Sequence, residues 1–225
     1  GKVSRQLSKL TDNDFVVAQD LIAATWDHQA FMSDSSANRS LAVKLSKIAS
    51  DLILLSSGPR SGLGEINLPP VQPGSSIMPG KVNPVMAELV NVVAFRVIGN
   101  DTSVMLSAKA GQLQLNAYEP LEAMAILDSQ RLMTNTMRTL REKCIDGITV
   151  NEATLAANIE RTVGIVTALN PVIGYEAATE LAKEAYASDK GILEVIREQR
   201  VLSDEQIDEI LDPANLTGLD KTRYQ

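Results

Sequence analysis

The sequence predicts an all-α protein in which a long-helix bundle is followed by a small helical C-terminal domain. Apolar residues recur at three- and four-residue spacing over long stretches, and Gly and Pro cluster between those stretches. The core is expected to be aliphatic, because the 225 residues include only three Phe, four Tyr and one Trp. At about 150 residues per domain, this length indicates one or two domains.

The first long helix is predicted from about Ser36 to the residues before Gly58-Pro59, since Pro disfavours helical geometry in the residue before it. Its apolar residues follow heptad-like spacing, which is typical of a helix packed along its length. These residues are Leu41, Leu45, Ile48, Leu52 and Leu55. Upstream, residues 1–33 are expected to form a loop and then a helix from about Asp12 to Thr25.

Two further long helices are predicted after residue 83. Pro84 suits the first turn of the second helix, and a wide apolar stripe follows it to Ile98. Gly99-Asn100 is a point at which this helix would bend or end. The third helix is expected from about Pro120 to Lys143. Together these helices form part of a central helical-bundle domain, residues 1–146, with a distinctive loop at residues 58–84.

Asp146-Gly147 is a stop signal, and we place the domain boundary there. The remaining residues, 147–225, are predicted to form a small C-terminal helical domain of shorter helices. One of these helices begins at a capping box made by Ser203 and Gln206 and ends at Asp212-Pro213.

Composition excludes several classes of function. The net charge of −7 and the lack of a basic stripe argue against nucleic acid as a partner. No uninterrupted apolar run reaches the ~20 residues of a membrane span, and the first residues do not resemble a signal peptide, so we expect no membrane partner and a cytoplasmic location. The single Cys144 excludes an internal disulfide, and the single His28 argues against a Cys/His metal site or a complete Ser-His-Asp triad.

The segment 58–84 differs from the rest of the chain because it holds five Gly and six Pro. Loops of this length inside a compact domain are usually functional or disordered, and the interleaved Ile, Leu, Val and Met argue against disorder. We therefore expect a functional loop.

Residues 74–83 carry the groups that would bind an anion. Gly74 and Gly80 allow close backbone approach, Ser75 and Ser76 offer hydroxyls, Lys81 a positive charge, and Asn83 a paired donor and acceptor. The predicted helix N-terminus that follows also favours anions. These residues favour a small carboxylate or phosphate as ligand, although composition alone fits an ordinary Gly/Pro connector equally well. A Walker A loop is excluded, because Val82 follows Lys81.

The run Gly-Ser-Ser-Ile-Met-Pro-Gly-Lys-Val-Asn-Pro at 74–84 resembles the signature of the fumarase/aspartase superfamily. The resemblance includes Leu-Ser-Ser-Gly-Pro-Arg-Ser-Gly-Leu-Gly-Glu-Ile at 55–66, Val-Ile-Gly-Asn-Asp at 97–101 and Leu-Asn-Pro at 169–171. Three segments look more like the aspartate ammonia-lyase branch than like fumarases. They are Glu-Ile-Asn-Leu-Pro at 65–69, Gly-Gln-Leu-Gln-Leu-Asn-Ala-Tyr-Glu-Pro at 111–120 and Gly-Ile-Thr-Val-Asn at 147–151.

The resemblance implies reversible deamination of L-aspartate to fumarate and ammonia. Ser75 would be the catalytic base that removes a proton from C3, giving an aci-carboxylate that expels ammonia. Such a serine must be activated by N–H donors and a nearby cation. Ser76 and the backbone around Met78 would contact one substrate carboxylate, and Lys81 and Asn83 would hold the other.

Glu88 matches the family glutamate that pairs with an active-site histidine, and we treat it as a second catalytic residue. That histidine is expected upstream of position 1. His28 does not stand at a family motif position and is interpreted as a surface or packing residue.

Family chains are about twice as long, so the sequence resembles the C-terminal half of a lyase, and the chain alone is expected to be inactive. The resemblance implies a small dicarboxylate substrate and a homotetramer that shares its active sites between subunits. It implies no metal site and no required cofactor, and it leaves activation by a divalent cation open. The alternative functions are a class II fumarase and a non-catalytic helical oligomerisation scaffold.

Overall fold

The chain forms two compact units, Gly1–Thr149 and Val150–Gln225. The computed structural model describes residues 1–74, 77–78, 80–162 and 164–216. Within those ranges the strands are limited to the two-residue segments Ile66–Asn67 and Thr149–Val150, and the remaining regular structure is helical. The predicted all-α class is confirmed.

Three long helices dominate the first unit: α3 (Gln29–Leu55), α4 (Val85–Lys109) and α5 (Glu119–Lys143). The Ser35 hydroxyl bonds Asp101 and the Ser46 hydroxyl bonds Asn91, so the residue numbers rise on α3 as they fall on α4. The two helices therefore run antiparallel. Asn100 of α4 bonds Ser129 of α5, and the short α4–α5 connection likewise reverses the chain direction.

Small residues form the inner seam of α3. Ser35, Ala42 and Ala49 are its buried residues and recur every seven positions, so α4 and α5 can approach closely. The predicted heptad is therefore partly wrong, because Leu41 is 38% and Ile48 is 48% exposed. The wide apolar surface of α3 exceeds what its neighbours in this unit cover.

The N-terminal segment also differs from its prediction. Helix α1 covers Lys2–Thr11, and the short helix α2 covers Ala23–Trp26. Asp12 ends α1 in a left-handed conformation, φ 55°, so the predicted helix from Asp12 to Thr25 is wrong. The Asp20 carboxylate then accepts hydrogen bonds from the N–H groups of Ile22 and Ala23, which begins α2 well inside the predicted span.

Helix α4 continues through Gly99-Asn100 without ending. The buried Asn100 amide donates to the Ala125 carbonyl at 3.2 Å and to the Ser129 hydroxyl at 3.0 Å, which fixes the helix against α5. By length and hydropathy α4 meets the requirements of a membrane span. The core helix of a helical bundle meets the same requirements, and α4 lies between α3 and α5 with Val90, Val97 and Val104 buried.

The second unit contains six helices within its described residues: α6 (Glu152–Arg161), α7 (Val166–Ile173), α8 (Tyr175–Ser188), α9 (Ile192–Gln199), α10 (Asp204–Leu211) and α11 (Pro213–Leu216). Its core is aliphatic and includes Leu169, Leu181, Ile192, Ile196 and Ile207. The predicted capping box is confirmed: the Ser203 hydroxyl accepts from the Gln206 N–H, and the Gln206 side chain accepts from the Ser203 N–H.

Candidate anion-binding loop

The loop at 58–84 joins the end of α3 to the start of α4, and hydrogen bonds fix its base. The Gly64 N–H donates to the Ser57 carbonyl at 2.8 Å, and the Glu65 N–H donates to the Leu55 carbonyl at 2.9 Å. Further along, a Cβ on Gly147 would lie 2.6 Å from Cγ of Pro69. The chain that follows α5 therefore passes close against the loop, and only glycine fits there.

A backbone clamp holds the part of the loop that carries the signature. The Gly74 N–H donates to the Lys81 carbonyl at 2.9 Å, and the Asn83 side-chain amide donates to the Gly74 carbonyl at 2.9 Å. A Cβ on Gly74 would lie 2.3 Å from the Lys81 carbonyl oxygen, so the clamp requires glycine. Gly80, at φ +79°, makes the adjacent turn.

A cleft of about 490 Å³ opens beside this clamp. It is lined by residues 70–74, Met78 and 80–82. The Lys81 side chain is exposed, and the whole loop carries Arg60, Glu65 and Lys81, a net charge of +1 within a chain of −7. The loop is thus a locally positive region in an acidic protein, which suits an anionic ligand.

The structure brings three of the predicted site residues together. Met78 and Lys81 line the cleft, and Asn83 closes the clamp beneath it. Glu88 lies one turn further along, exposed on the first turn of α4, and does not line the cleft. Ser75 and Ser76, the predicted base and its neighbour, lie outside the described residues.

The side chain of Asn83, just before α4, bonds within the loop and does not cap that helix. That helix has Pro84 at its N-cap position and no side-chain cap, so capping by the Asn83 side chain is not found. One amide hydrogen of Asn83 is used on the Gly74 carbonyl. An Asn amide has two hydrogens, which leaves the second one for a ligand.

Sequence reasoning missed a buried pair at the opposite end of the bundle. His28 Nδ1 lies 2.6 Å from Glu122 Oε2, and the two side chains are 3% and 0% exposed. Of the two alternatives in the interpretation of His28, a surface or a packing residue, the structure therefore supports packing. A signal was present, because Glu122 shares the spacing of the buried α5 residues Ala125, Ile126, Ser129 and Met133, and a charge on a buried face needs a partner.

Two family models match the chain. The model described as lyase matches residues 1–99, and the model described as fumarase C C-terminus matches residues 165–218. The first match lies in the first unit and the second match lies in the second unit, so each unit matches a model of a lyase or fumarase.

Curated relatives give the same result. The chain is 55% identical to an aspartate ammonia-lyase of Pseudomonas fluorescens over 94% of its own length and 44% of that protein. It is 50% identical to one from Helicobacter pylori over 95% of the chain and 46% of that protein. For the Escherichia coli K12 enzyme the identity is 48%, over 94% of the chain and 44% of that protein. The chain spans slightly less than half the length of these relatives.

Solved structures share the fold. A fumarate lyase:delta crystallin from Brucella melitensis in native form has a TM-score of 0.84 and 50% identity, over 94% of this chain and 48% of that one. A class II fumarase from Schistosoma mansoni has a TM-score of 0.80 and 33% identity, over 94% and 46%.

The fold and these matches define the class: the chain is similar to lyases of the fumarase/aspartase superfamily over residues 1–99 and 165–218 and, in the relatives quoted above, over 94–95% of its length. Within that superfamily its curated relatives quoted above are aspartate ammonia-lyases, in agreement with the branch that the sequence motifs indicated.

Proposed function

We propose that this chain is the loop-bearing part of an aspartate ammonia-lyase, which converts L-aspartate to fumarate and ammonia. The observation that carries the proposal is the clamp of Gly74, Lys81 and Asn83, which places an exposed ammonium in a cleft just before the N-terminus of α4. A dicarboxylate needs such a cation and amide donors, and a helix N-terminus adds to the attraction. The 48–55% identity to aspartate ammonia-lyases supports L-aspartate as the substrate.

The residues have distinct roles in this proposal. Ser75 takes the proton from C3 of the substrate, and electron density moves into the adjacent carboxylate to give the aci-carboxylate. Lys81 and the second amide hydrogen of Asn83 stabilise charge on a substrate carboxylate. Collapse of the aci-carboxylate breaks the C–N bond and releases ammonia and fumarate.

Ser76 and the backbone at Met78 hold the remaining carboxylate oxygens. Glu88, exposed at the start of α4, orients a histidine that this chain does not supply, because His28 is already paired with Glu122. We propose that the remaining groups come from a part of the fold that these 225 residues do not contain. The complete enzyme is a cytoplasmic homotetramer in this proposal and requires no cofactor, with activation by a divalent cation left open.

The test is complementation. The chain is co-expressed with the portion of the Pseudomonas fluorescens relative that it does not match, and fumarate is followed by its ultraviolet absorbance with L-aspartate or malate as substrate. We expect fumarate from L-aspartate in the mixture and little or none from the chain alone. Turnover of malate in place of L-aspartate would identify a fumarase.

A matched pair of serine variants tests the assignment of the base. Ser75→Ala is expected to lower turnover by at least a thousandfold, or about 4 kcal/mol in activation free energy. Ser61→Ala removes a hydroxyl from the same loop, outside the clamp, and is expected to leave turnover within about twofold. Equal activity in both variants would contradict the proposed mechanism.

A further inference from the structure

Two of the segments that resemble the aspartate ammonia-lyase branch meet in the structure, although they are far apart in the sequence. Strand β1 (Ile66–Asn67) lies in one segment and strand β2 (Thr149–Val150) begins in the other, and the two strands pair with each other. The Asn67 side-chain amide donates to the Thr149 hydroxyl at 3.2 Å, across 82 positions of sequence. We call this strand pair, with its side-chain hydrogen bond, the anchor.

The residues that follow β1 fix the anchor to the helical bundle. Leu68 packs against a buried cluster to which α3, α4 and α5 all contribute. Pro69 comes next and lies against Gly147, where a Cβ would be 2.6 Å from the Pro69 Cγ atom. The chain therefore leaves the anchor at a position that the bundle and the chain after α5 both determine.

Residues 69–73, which we call the arm, connect the anchor to the clamp, and their sequence makes them stiff. Three of the five are proline, and the proline ring fixes φ near about −65°. A proline also restricts the residue before it, which here includes Gln72. Val71 is the one residue of the arm that is neither proline nor followed by proline. A segment with so little rotational freedom carries a displacement of the anchor on to the clamp.

The arm also forms part of the cleft that contains Lys81. Residues 70–73 line this cleft together with Lys81, and the clamp joins the Gly74 N–H at the end of the arm to the Lys81 carbonyl at 2.9 Å. The distance between the arm and the Lys81 side chain therefore depends on where the anchor holds the arm. A misplacement of about 1 Å, even from a change far from the reacting atoms, can cost about a hundredfold in rate.

We propose that Asn67, Gly147 and Thr149 are positioning residues for the reaction, which hold the arm so that Lys81 lies at the distance that a substrate carboxylate requires. Among the described residues, these three are not part of the cleft lining, so they act through the arm and not on the substrate. The inference rests on the proposed function, because it concerns the position of the cation that binds the substrate.

Amide hydrogen exchange in the full 225-residue chain, followed by NMR, tests the positioning without a substrate. Thr149→Val removes the acceptor of the Asn67 hydrogen bond and keeps a β-branched side chain, which suits a strand. Gly147→Ala adds a Cβ that requires Pro69 to move by about 1 Å, because carbon atoms in contact normally lie about 3.5–4.0 Å apart. We expect both variants to accelerate exchange of the Gly74 N–H by at least about tenfold, since its hydrogen bond in the clamp depends on the arm.

A buried helix amide is the internal reference for the exchange experiment. The N–H of Val97, inside α4, is expected to keep its wild-type exchange rate, because local opening of the loop does not involve it. Thr179→Val is the control variant, since it removes a hydrogen-bonding hydroxyl from α8 and is expected to leave the exchange of Gly74 unchanged. Wild-type exchange at Gly74 in both anchor variants would overturn the proposal. Equal acceleration at Gly74 and Val97 would also overturn it, because the variants would then only lower the global stability.

Turnover in the co-expressed complex measures the consequence for the reaction. Gly147→Ala is expected to lower kcat/KM for L-aspartate by about a hundredfold and Thr149→Val by about tenfold. Thr149→Ser keeps the hydroxyl that accepts from Asn67 and is expected to restore most of the turnover that Thr149→Val loses. Wild-type turnover of Gly147→Ala in an active complex would overturn the role of the anchor in the reaction. If the wild-type complex forms no fumarate from L-aspartate, the proposed function fails, whereas the exchange rates at Gly74 still decide whether the anchor positions the arm.

Discussion

The buried residues of the two units differ in polarity. In the described part of the chain, the buried polar side chains all lie in the first unit: His28, Ser35, Asn100, Ser107, Asn116, Glu122, Ser129 and Thr136. The described core of the second unit is aliphatic, with Leu169, Ile192 and Ile196 fully buried.

The difference follows from helix length. Two 25-residue helices with apolar stripes can pack in several registers that differ by a turn and bury similar areas. Hydrogen bonds between buried polar side chains, such as Asn100 to Ser129, form in only one of those registers. Short helices such as α7 and α9 bury large side chains in a globular core, where the fit of Leu and Ile selects the arrangement. The first unit is therefore specified by pairing and the second by packing.

The largest effect is expected from breaking the His28–Glu122 pair. His28→Ala leaves the fully buried Glu122 carboxylate without its partner, which is expected to cost about 3–5 kcal/mol of unfolding free energy. Urea unfolding followed by Trp26, the single tryptophan, measures this loss in the first unit. Adding Glu122→Gln to His28→Ala removes the buried charge and is expected to recover part of the loss. A cost below 1 kcal/mol would show that pairing does not dominate this interior.

In the second unit, the corresponding test is a substitution that creates a cavity in the aliphatic core. Leu169→Ala removes a side chain that is 0% exposed and is expected to cost about 2–5 kcal/mol, measured by urea unfolding with circular dichroism. Val172→Ala, on the same helix but 52% exposed, is expected to cost less than about 1 kcal/mol. Similar losses for the two variants would contradict a core held by packing.

The hydrogen bonds between α4 and α5 should contribute less. Asn100→Ala removes two donated hydrogen bonds and is expected to cost about 1–3 kcal/mol in Trp26-monitored unfolding. The matched variant is Asn91→Ala, which breaks partly exposed bonds to Ser46 and Ser50 and is expected to cost well under half as much. Equal losses of unfolding free energy in the two variants would show that burial does not increase the contribution of the Asn100 hydrogen bonds to stability.

The smallest effect is expected at the start of α10. Ser203→Ala removes the cap and is expected to cost about 1 kcal/mol at neutral pH. The Ser203 hydroxyl also bonds the Glu205 carboxylate and lowers its pKa, so that part of the stability is present above about pH 4.3 and is lost as the pH falls below it. Unfolding at pH 7 and pH 3 should show a smaller deficit at the lower pH. Ser203→Asp keeps a capping oxygen and should retain most of the stability.

Helix identity was readable from the sequence because its cues are local. Apolar spacing and Gly/Pro punctuation predicted α3, α4 and α5, and the capping box at Ser203 predicted the start of α10. The prediction for the N-terminal segment was wrong because two single residues decide its helix bounds. Asp12, in a left-handed conformation, ends α1, and the Asp20 carboxylate caps the start of α2. The prediction of the buried face of α3 was partly wrong because the residues on that face are small. Ala42 and Ala49 stand out less in a hydrophobic pattern than Leu41 and Ile48 do.

The candidate site was predictable where it depends on residue types and not where it depends on contacts. The signature named Lys81 and Asn83 for their chemistry, and they lie together in the structure. The bond from Asn83 to the Gly74 carbonyl could not be read from the sequence, because it depends on how the loop folds back on itself. The roles of all the predicted site residues stay predictions: Ser75, Ser76, Met78, Lys81, Asn83 and Glu88.

The clamp between Gly74 and Lys81 also changes the entropy of binding. Residues 58–84 form a span of 27 residues, whereas the clamp closes a ring from position 74 to position 81. Because the closure entropy grows as three-halves of RT times the logarithm of length, ordering the short ring costs about 1 kcal/mol less than closing the whole span. Because the hydrogen bond from the Gly74 N–H to the Lys81 carbonyl forms on folding, this difference in closure entropy does not have to come from the binding of a ligand.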